Sequence, residues 1–167
     1  MQQLAKSPDP IASRAVRRAT ASDAADIASL VNRAFIVERS FATGDRTTES
    51  EVRSKLATGE FLVLDQPSPG LAASIYVAIA DGSAEFGLLA VDPELQGRGL
   101  GQRLVAVAEH LARAEGCGAM ELKIVNLRDD LPPFYQRLGY AACGTAPFPL
   151  GGAYQPCHFI RMAKSLI

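Results

Sequence analysis

Gly97, Gly99 and Gly101 stand on alternate positions, with Arg98 between the first two and Arg103 just beyond the third. Glycines spaced this way remove the side chains that would hold a ligand away from the backbone. If a helix starts here, its first N–H groups have no internal acceptor and carry the positive end of the helix dipole. Bare amides at a helix start bind phosphate or pyrophosphate, and Arg98 and Arg103 offer charge-assisted bonds to the same oxygens. The spacing excludes two common phosphate loops. No Gly-Lys-Ser/Thr follows, as a nucleotide-triphosphate loop requires. The third glycine of a dinucleotide-binding G-x-G-x-x-G is replaced by Gln102 or Leu104, depending on which pair is counted. A tight strand-to-helix turn without a ligand is the simpler alternative.

The surrounding elements are those such a loop needs. Glu85 to Val91 is apolar and ends before Pro93, which cannot continue a strand ladder. From Leu100 the apolar residues recur at helical spacing through Leu104, Val107, Ala108 and Leu111, and Gly116 closes the helix. A half-buried strand follows over Met120–Val125, so strand, helix and strand form a right-handed unit with parallel neighbours. Upstream, Ala15–Thr20 reads as a strand. A helix capped by Thr20 or Ser22 carries Ile27, Leu30, Val31 and Phe35 on one face. A polar stretch from Glu38 to Thr48 leads to a second helix over Glu49–Ala57. Strands are expected over Glu60–Asp65, Leu71–Ala80 and Ala84–Val91. Downstream, a short helix starts at Asp129–Pro133 and stops at Gly139, and strands cover Tyr140–Thr145 and Cys157–Lys164. The loop between those strands, Ala146–Pro156, is rich in Pro, Gly and aromatics and reads as substrate-facing.

A third phosphate-loop pattern does fit: Gln/Arg-x-x-Gly-x-Gly/Ala, met by Gln96, Gly99 and Gly101. Together with Leu89-Ala90-Val91-Asp92-Pro93 before it and Phe134-Tyr135-Gln136-Arg137-Leu138-Gly139-Tyr140 after it, this resembles the GNAT superfamily of acetyl-CoA-dependent N-acetyltransferases, from about Ala15 to the C-terminus. The fold implied is α/β of the α+β kind: a mixed, mostly antiparallel sheet of six to seven strands, one parallel strand–helix–strand unit and about four helices. Residues 1–13 are expected to be a flexible tail, and 14–167 a single domain.

The resemblance implies an acetyl group moved from acetyl-CoA to a primary amine of a small molecule or peptide, by direct attack in a ternary complex. It places the pantetheine arm in a gap beside Leu89, Ala90 and Val91, where a backbone N–H would bind the thioester oxygen. It sets the pyrophosphate on Gln96, Gly97, Arg98, Gly99, Leu100, Gly101 and Gln102, and brings Asn126 against the pantetheine. The tyrosine matching Tyr135 commonly protonates the departing thiolate; a phenol is still protonated at neutral pH. A packing role beside Phe134 and Leu138 is the alternative for Tyr135. In this fold the first helix pair and its linker wall the acceptor site, which would make Phe35, Phe41 and residues 38–48 specificity elements. For the general base, Glu85 lies by strict alternation on the side of Leu89 and Val91, and His158 faces the acceptor loop. A solvated strand carboxylate is an equal alternative for Glu85, and a lone strand histidine such as His158 is more often structural. Asp129-Asp130 and the two prolines depart from an apolar helical start. An acyl-CoA-binding sensor without turnover is the second functional reading.

Composition bounds the rest. The 167 residues carry a net charge of −1 and no Lys/Arg cluster with interleaved aromatics, so nucleic-acid binding is not expected. No apolar run is long enough to span a membrane, and the first residues lack the apolar core of a signal peptide. Three widely spaced cysteines without C-x-x-C argue against a disulfide framework or metal site and suit a reducing cytoplasm. The fold often pairs as homodimers, although no stretch here marks an interface.

Overall fold

The computed structural model describes residues 9–149 and 151–167. The elements are β1 (Arg17–Arg18), α1 (Ala24–Ala34), α2 (Glu49–Leu56), β2 (Glu60–Asp65), β3 (Leu71–Ala80), β4 (Ser83–Val91), α3 (Leu100–Ala114), β5 (Ala119–Val125), α4 (Leu131–Arg137), β6 (Ala141–Pro147) and β7 (His158–Ser165). They build one sheet in the order β1-β2-β3-β4-β5-β7-β6. All pairings are antiparallel except β4 with β5. The expected mixed sheet with one parallel unit is therefore the fold. β1 is shorter than the expected Ala15–Thr20, pairing with β2 only at Arg17 and Arg18.

Helices cover both faces. On one, Leu100, Leu104 and Ala108 of α3 pack with Tyr135 of α4 on Leu62, Leu64, Phe86, Met120, Leu122 and Met162. On the other, Ile27, Leu30 and Val31 of α1 and Val52 of α2 pack on Phe61, Val63, Leu88 and Ala90. β2 is covered on both sides, which is why Phe61-Leu62-Val63-Leu64 is an unbroken apolar run. Burying each of the larger side chains contributes about 2 kcal/mol.

β4 carries the decisive irregularity. Between Ser74↔Ala90 and Tyr76↔Gly87 it has one residue more than β3. The bulge falls at Leu88, a non-glycine residue with φ 49°, a conformation that costs about 1–2 kcal/mol. It exchanges the faces of the strand. Ala84 and Phe86 point toward α3, but beyond the bulge Leu89 and Val91 take that side, while Leu88 and Ala90 face α1. β4 also parts from β5. Their pairing ends at Glu85↔Glu121, whereas β5 stays paired to β7 through Val125↔Phe159.

Of the expected tail, residues 1–8 lie outside the described residues. Asp9–Ser13 packs on the domain: Ile11 is buried in the α3-side core, and Arg103 of α3 donates to the carbonyls of Ala12 (2.8 Å) and Arg14.

The first strand is joined to the first helix by one guanidinium. Arg17 Nε and Nη2 donate to Asp65 (2.8 and 2.9 Å), and Nη1 and Nη2 donate to Asp23 (both 2.9 Å). These bonds hold both carboxyl groups below the usual aspartate range. Arg17→Met is expected to lower unfolding free energy by about 2 kcal/mol in urea titrations at pH 7. Depressed carboxylate pKa values give stability that is present at neutral pH and lost as pH falls through them. The wild-type advantage should therefore shrink below about pH 4, the unfolded aspartate value.

Candidate active site

The chain leaves β4 through Asp92, whose side chain caps the turn Pro93–Leu95 by accepting from the Glu94 N–H (3.0 Å) and also accepts from Arg33 Nη2 (3.0 Å). Gly97 and Gly99 follow in the left-handed region, with φ 79° and 77°. A Cβ on either would meet open space. The backbone conformation therefore calls for glycine here, and the space beside it is left clear. Gly99 is the N-cap of α3 and supplies no side-chain cap, and no acidic residue sits in the first turn. By contrast, α2 starts with a full capping box from Thr48 and Glu51. The leading amides of α3 thus receive no side-chain acceptor from the N-cap and face no carboxylate in the first turn. Gly101 differs: a Cβ there would touch Val91, Phe134 and Leu89 at ordinary distances of 3.6–3.8 Å.

One cavity of about 910 Å³ runs from this loop along the gap between β4 and β5. At the loop end it is lined by Gln96, Gly97, Gly99, Leu100, Gly101 and Gln102, and along β4 by Glu85, Leu89 and Val91. Its far end is lined by Phe35, Glu38 and Arg46 from the α1–α2 linker, and by Phe148 and Pro149 from the β6–β7 loop. The two loops are clipped together. Ala42 pairs with Ala153, the Thr43 N–H donates to Gly152 O (3.1 Å), and the Tyr154 N–H donates to Phe41 O (2.7 Å).

Tyr135 stands where α4 meets the cavity. It is 5% exposed and sits among Phe86, Phe134 and Tyr140, with ring centroids 5.0–6.1 Å away. Among the described residues its hydroxyl has no hydrogen-bond partner, and the residue lines the cavity. Burial pushes its pKa up, so the phenol keeps its proton at any physiological pH.

Several expected residues lie elsewhere. Ala90 is 1% exposed in the core beneath α1, outside the cavity lining, because the bulge turns it there. Arg98 reaches Asp9 (3.2 Å) rather than the cavity. The Asn126 side chain accepts the His158 N–H (2.8 Å), pinning the start of β7, and it does not line the cavity. His158 is exposed and also outside the lining. Phe41 is buried beneath the loops rather than lining the cavity. Glu85 does line it, but on the face of Leu88 and Ala90, not that of Leu89 and Val91. The bulge breaks the strict alternation that paired them. Its carboxylate pairs with Lys123 (3.3 Å).

Sequence reasoning missed Arg128 and the ion pairs it makes. Arg128 Nη1 donates to Glu38 Oε1 (3.3 Å), and Nε and Nη2 grip Asp130 (2.9 and 2.8 Å). Nothing in the spacing of these residues marks the contact, because Glu38 and Arg128 are 90 positions apart. The only signal was an acidic residue in the linker that the resemblance set beside the acceptor.

The mixed sheet, opened between two parallel strands under a glycine-rich helix start, defines the class of fold. The chain belongs to the GNAT family: residues 57–142 match the model described as "Acetyltransferase (GNAT) domain", whose members generally use acetyl-CoA. It is 42% identical over 66 residues to blasticidin-S acetyltransferase of Streptomyces morookaense, a stretch that is 38% of this chain and 47% of that protein. The match thus spans about half the length of that curated relative. Among solved structures it resembles the ribosomal-protein-S18-alanine N-acetyltransferase of Escherichia coli, at TM-score 0.74, 18% identity and coverage of 92% and 94% of the two chains. Nourseothricin acetyltransferase superposes at TM-score 0.61 and 23% identity over 65% and 66%. These structural likenesses speak for the fold.

The geometry separates two glycines by what each is for. Gly99→Ala should lower stability by about 1 kcal/mol through its positive φ. Gly101→Ala, at a helical position with room for a methyl group, should be neutral or slightly stabilising. Thermal unfolding of the two variants measures the difference.

Proposed function

We propose that the protein is an N-acetyltransferase that takes an acetyl group from acetyl-CoA and passes it to a primary amine of a small molecule or peptide, by direct attack with both substrates bound. The observation that carries this reading is that one cavity joins the uncapped start of α3, the open edge of β4 and the Tyr135 hydroxyl. The residues fit the group. The glycine loop has clear space beside it and leads into a helix start without a side-chain cap. Among the described residues the strand edge from Phe86 to Val91 has no strand pairing with β5, and an amide-bearing arm can pair with such an edge as an added strand would.

Bound acetyl-CoA would supply an acetyl group activated as a thioester. The chain's own residues would do the rest. Amides of Gly99–Gln102 hold the pyrophosphate. A backbone N–H of Leu89 or Val91, on the part of β4 that lines the cavity, holds and polarises the carbonyl oxygen. Tyr135 would donate its proton to the leaving sulfur: it lines the cavity, its hydroxyl has no partner among the described residues, and it is protonated at neutral pH. The α1–α2 linker and β6–β7 loop surround the acceptor. Blasticidin S, nourseothricin and a peptide beginning with alanine, taken from the names of the similar proteins, form the first acceptor panel. Three free cysteines support a reducing cytoplasm as the setting, and among the described residues no helix is long and apolar enough to cross a membrane.

The test is thiol release from acetyl-CoA with each acceptor. Acetylated product with one of them is expected. Acetyl-CoA binding without release for any amine would contradict transfer and favour the sensor reading. Tyr135→Phe, which keeps the aromatic packing, should lower kcat about 100-fold and leave acetyl-CoA affinity unchanged in calorimetry.

A further inference from the structure

Four carboxylates line the cavity, and each has a cationic partner. Asp45 pairs with Arg39, Glu85 with Lys123, and Asp130 is held by the fork of Arg128. Each of these side chains is half or more exposed. Glu38 is different: its side chain is 13% exposed. Its Oε1 accepts from Arg128 Nη1 at 3.3 Å, while its Oε2 lies 3.8 Å from Arg46 Nε, beyond hydrogen-bond distance. Among the described residues Oε2 accepts no hydrogen bond, and it is not sealed inside the protein. Arg46 is turned over the Phe35 ring, 5.4 Å from its centroid. The cavity therefore presents a carboxylate oxygen with free lone pairs, taken largely out of water and steered by two arginines.

Building on the acetyl-transfer reading, we propose that Glu38 is the catalytic base: its Oε2 binds the acceptor's ammonium group and takes the proton that frees the amine. The chemistry favours it over the other carboxylates. Burial raises the proton affinity of Glu38, and the Arg46 and Arg128 charges offset this only in part. A carboxylate with raised proton affinity is a better base near neutral pH. The position is suitable too. Arg128 pairs with Glu38, and the charges of Arg128 and Asp130 also act on the Tyr135 hydroxyl. Glu38, Arg128 and Tyr135 thus line one cavity.

The step balances. The ammonium gives one proton to Glu38. The neutral nitrogen forms the N–C bond as the C–S bond breaks. Tyr135 protonates the sulfur and regains a proton from the attacking nitrogen through water. Glu38 releases its proton to solvent, so one proton appears per amide formed.

Glu38→Gln keeps the size of the side chain and an oxygen for Arg128. In the variant, kcat/KM for the best acceptor of the panel should fall about 100-fold at pH 7, with unchanged melting temperature and acetyl-CoA affinity. The wild-type pH profile should show a basic group titrating above the ordinary glutamate range, set by Glu38 and the facing Arg46, Arg128 and Asp130. That limb should be absent from the variant. Methoxyamine, whose nitrogen is already neutral at pH 7, should be acetylated by both proteins within a few-fold of each other. An active wild type with an unslowed Glu38→Gln, or equal losses with methoxyamine and the ammonium acceptor, overturns the assignment of Glu38 alone. A wild type that releases no thiol with any acceptor overturns acetyl transfer itself and this assignment with it.

Discussion

Peptide groups inside a sheet need partners, and the edge of β4 that faces β5 loses its own after Glu85. β5 does not follow, because β7 holds it along its whole length. The bulge at Leu88 supplies the matching distortion in β4. It spends backbone strain to send Leu89 and Val91 under the start of α3, and Leu88 and Ala90 into the core beneath α1. The first turn of α3 lies against those two side chains at Gly101. The strand gap, the helix start and the cavity between them are thus one construction, anchored in both cores.

The two ends of the cavity work by different physics. The loop end is made of backbone: glycines at positive φ, a helix start without a side-chain cap, and no acidic side chain in the first turn. Such a site selects for negative charge and is insensitive to side-chain detail. The far end is made of side chains from segments distant in sequence, held in place by ion pairs and by the clip between residues 41–43 and 152–154. Here partial burial decides how strongly water screens each charge. Exposed pairs such as Arg39–Asp45 are damped by water, while Glu38 and Arg128 are shielded from it.

The glycine loop, its flanking strand and helix, and Tyr135 were legible because each is written in adjacent residues. The mixed sheet was legible for the same reason, since strand patterns and turns are local. The bulge was not. Leu88 is an ordinary apolar residue in an apolar run, and only the register against β3 shows the extra position. Strict alternation therefore set Glu85 on the face of Leu89 and Val91, whereas the register puts it on that of Leu88 and Ala90. The side chains of Asn126 and Arg98 have protein partners, the His158 N–H and Asp9, that their local sequence does not show. Pairing across 90 residues, as between Glu38 and Arg128, leaves no mark in spacing at all.

The central claim is that the glycine loop holds the phosphates of acetyl-CoA. Calorimetric titration of acetyl-CoA into the wild type, Gly99→Asn and Gly99→Glu tests it most directly, with NADH and ATP as controls. Asparagine tolerates positive φ and adds no charge, whereas glutamate sets a carboxylate in the clear space beside the amides. The account predicts acetyl-CoA binding in the wild type, retained in large part by Gly99→Asn and lost in a folded Gly99→Glu. Absence of binding to the wild type, or equal binding by the wild type and Gly99→Glu, would contradict it.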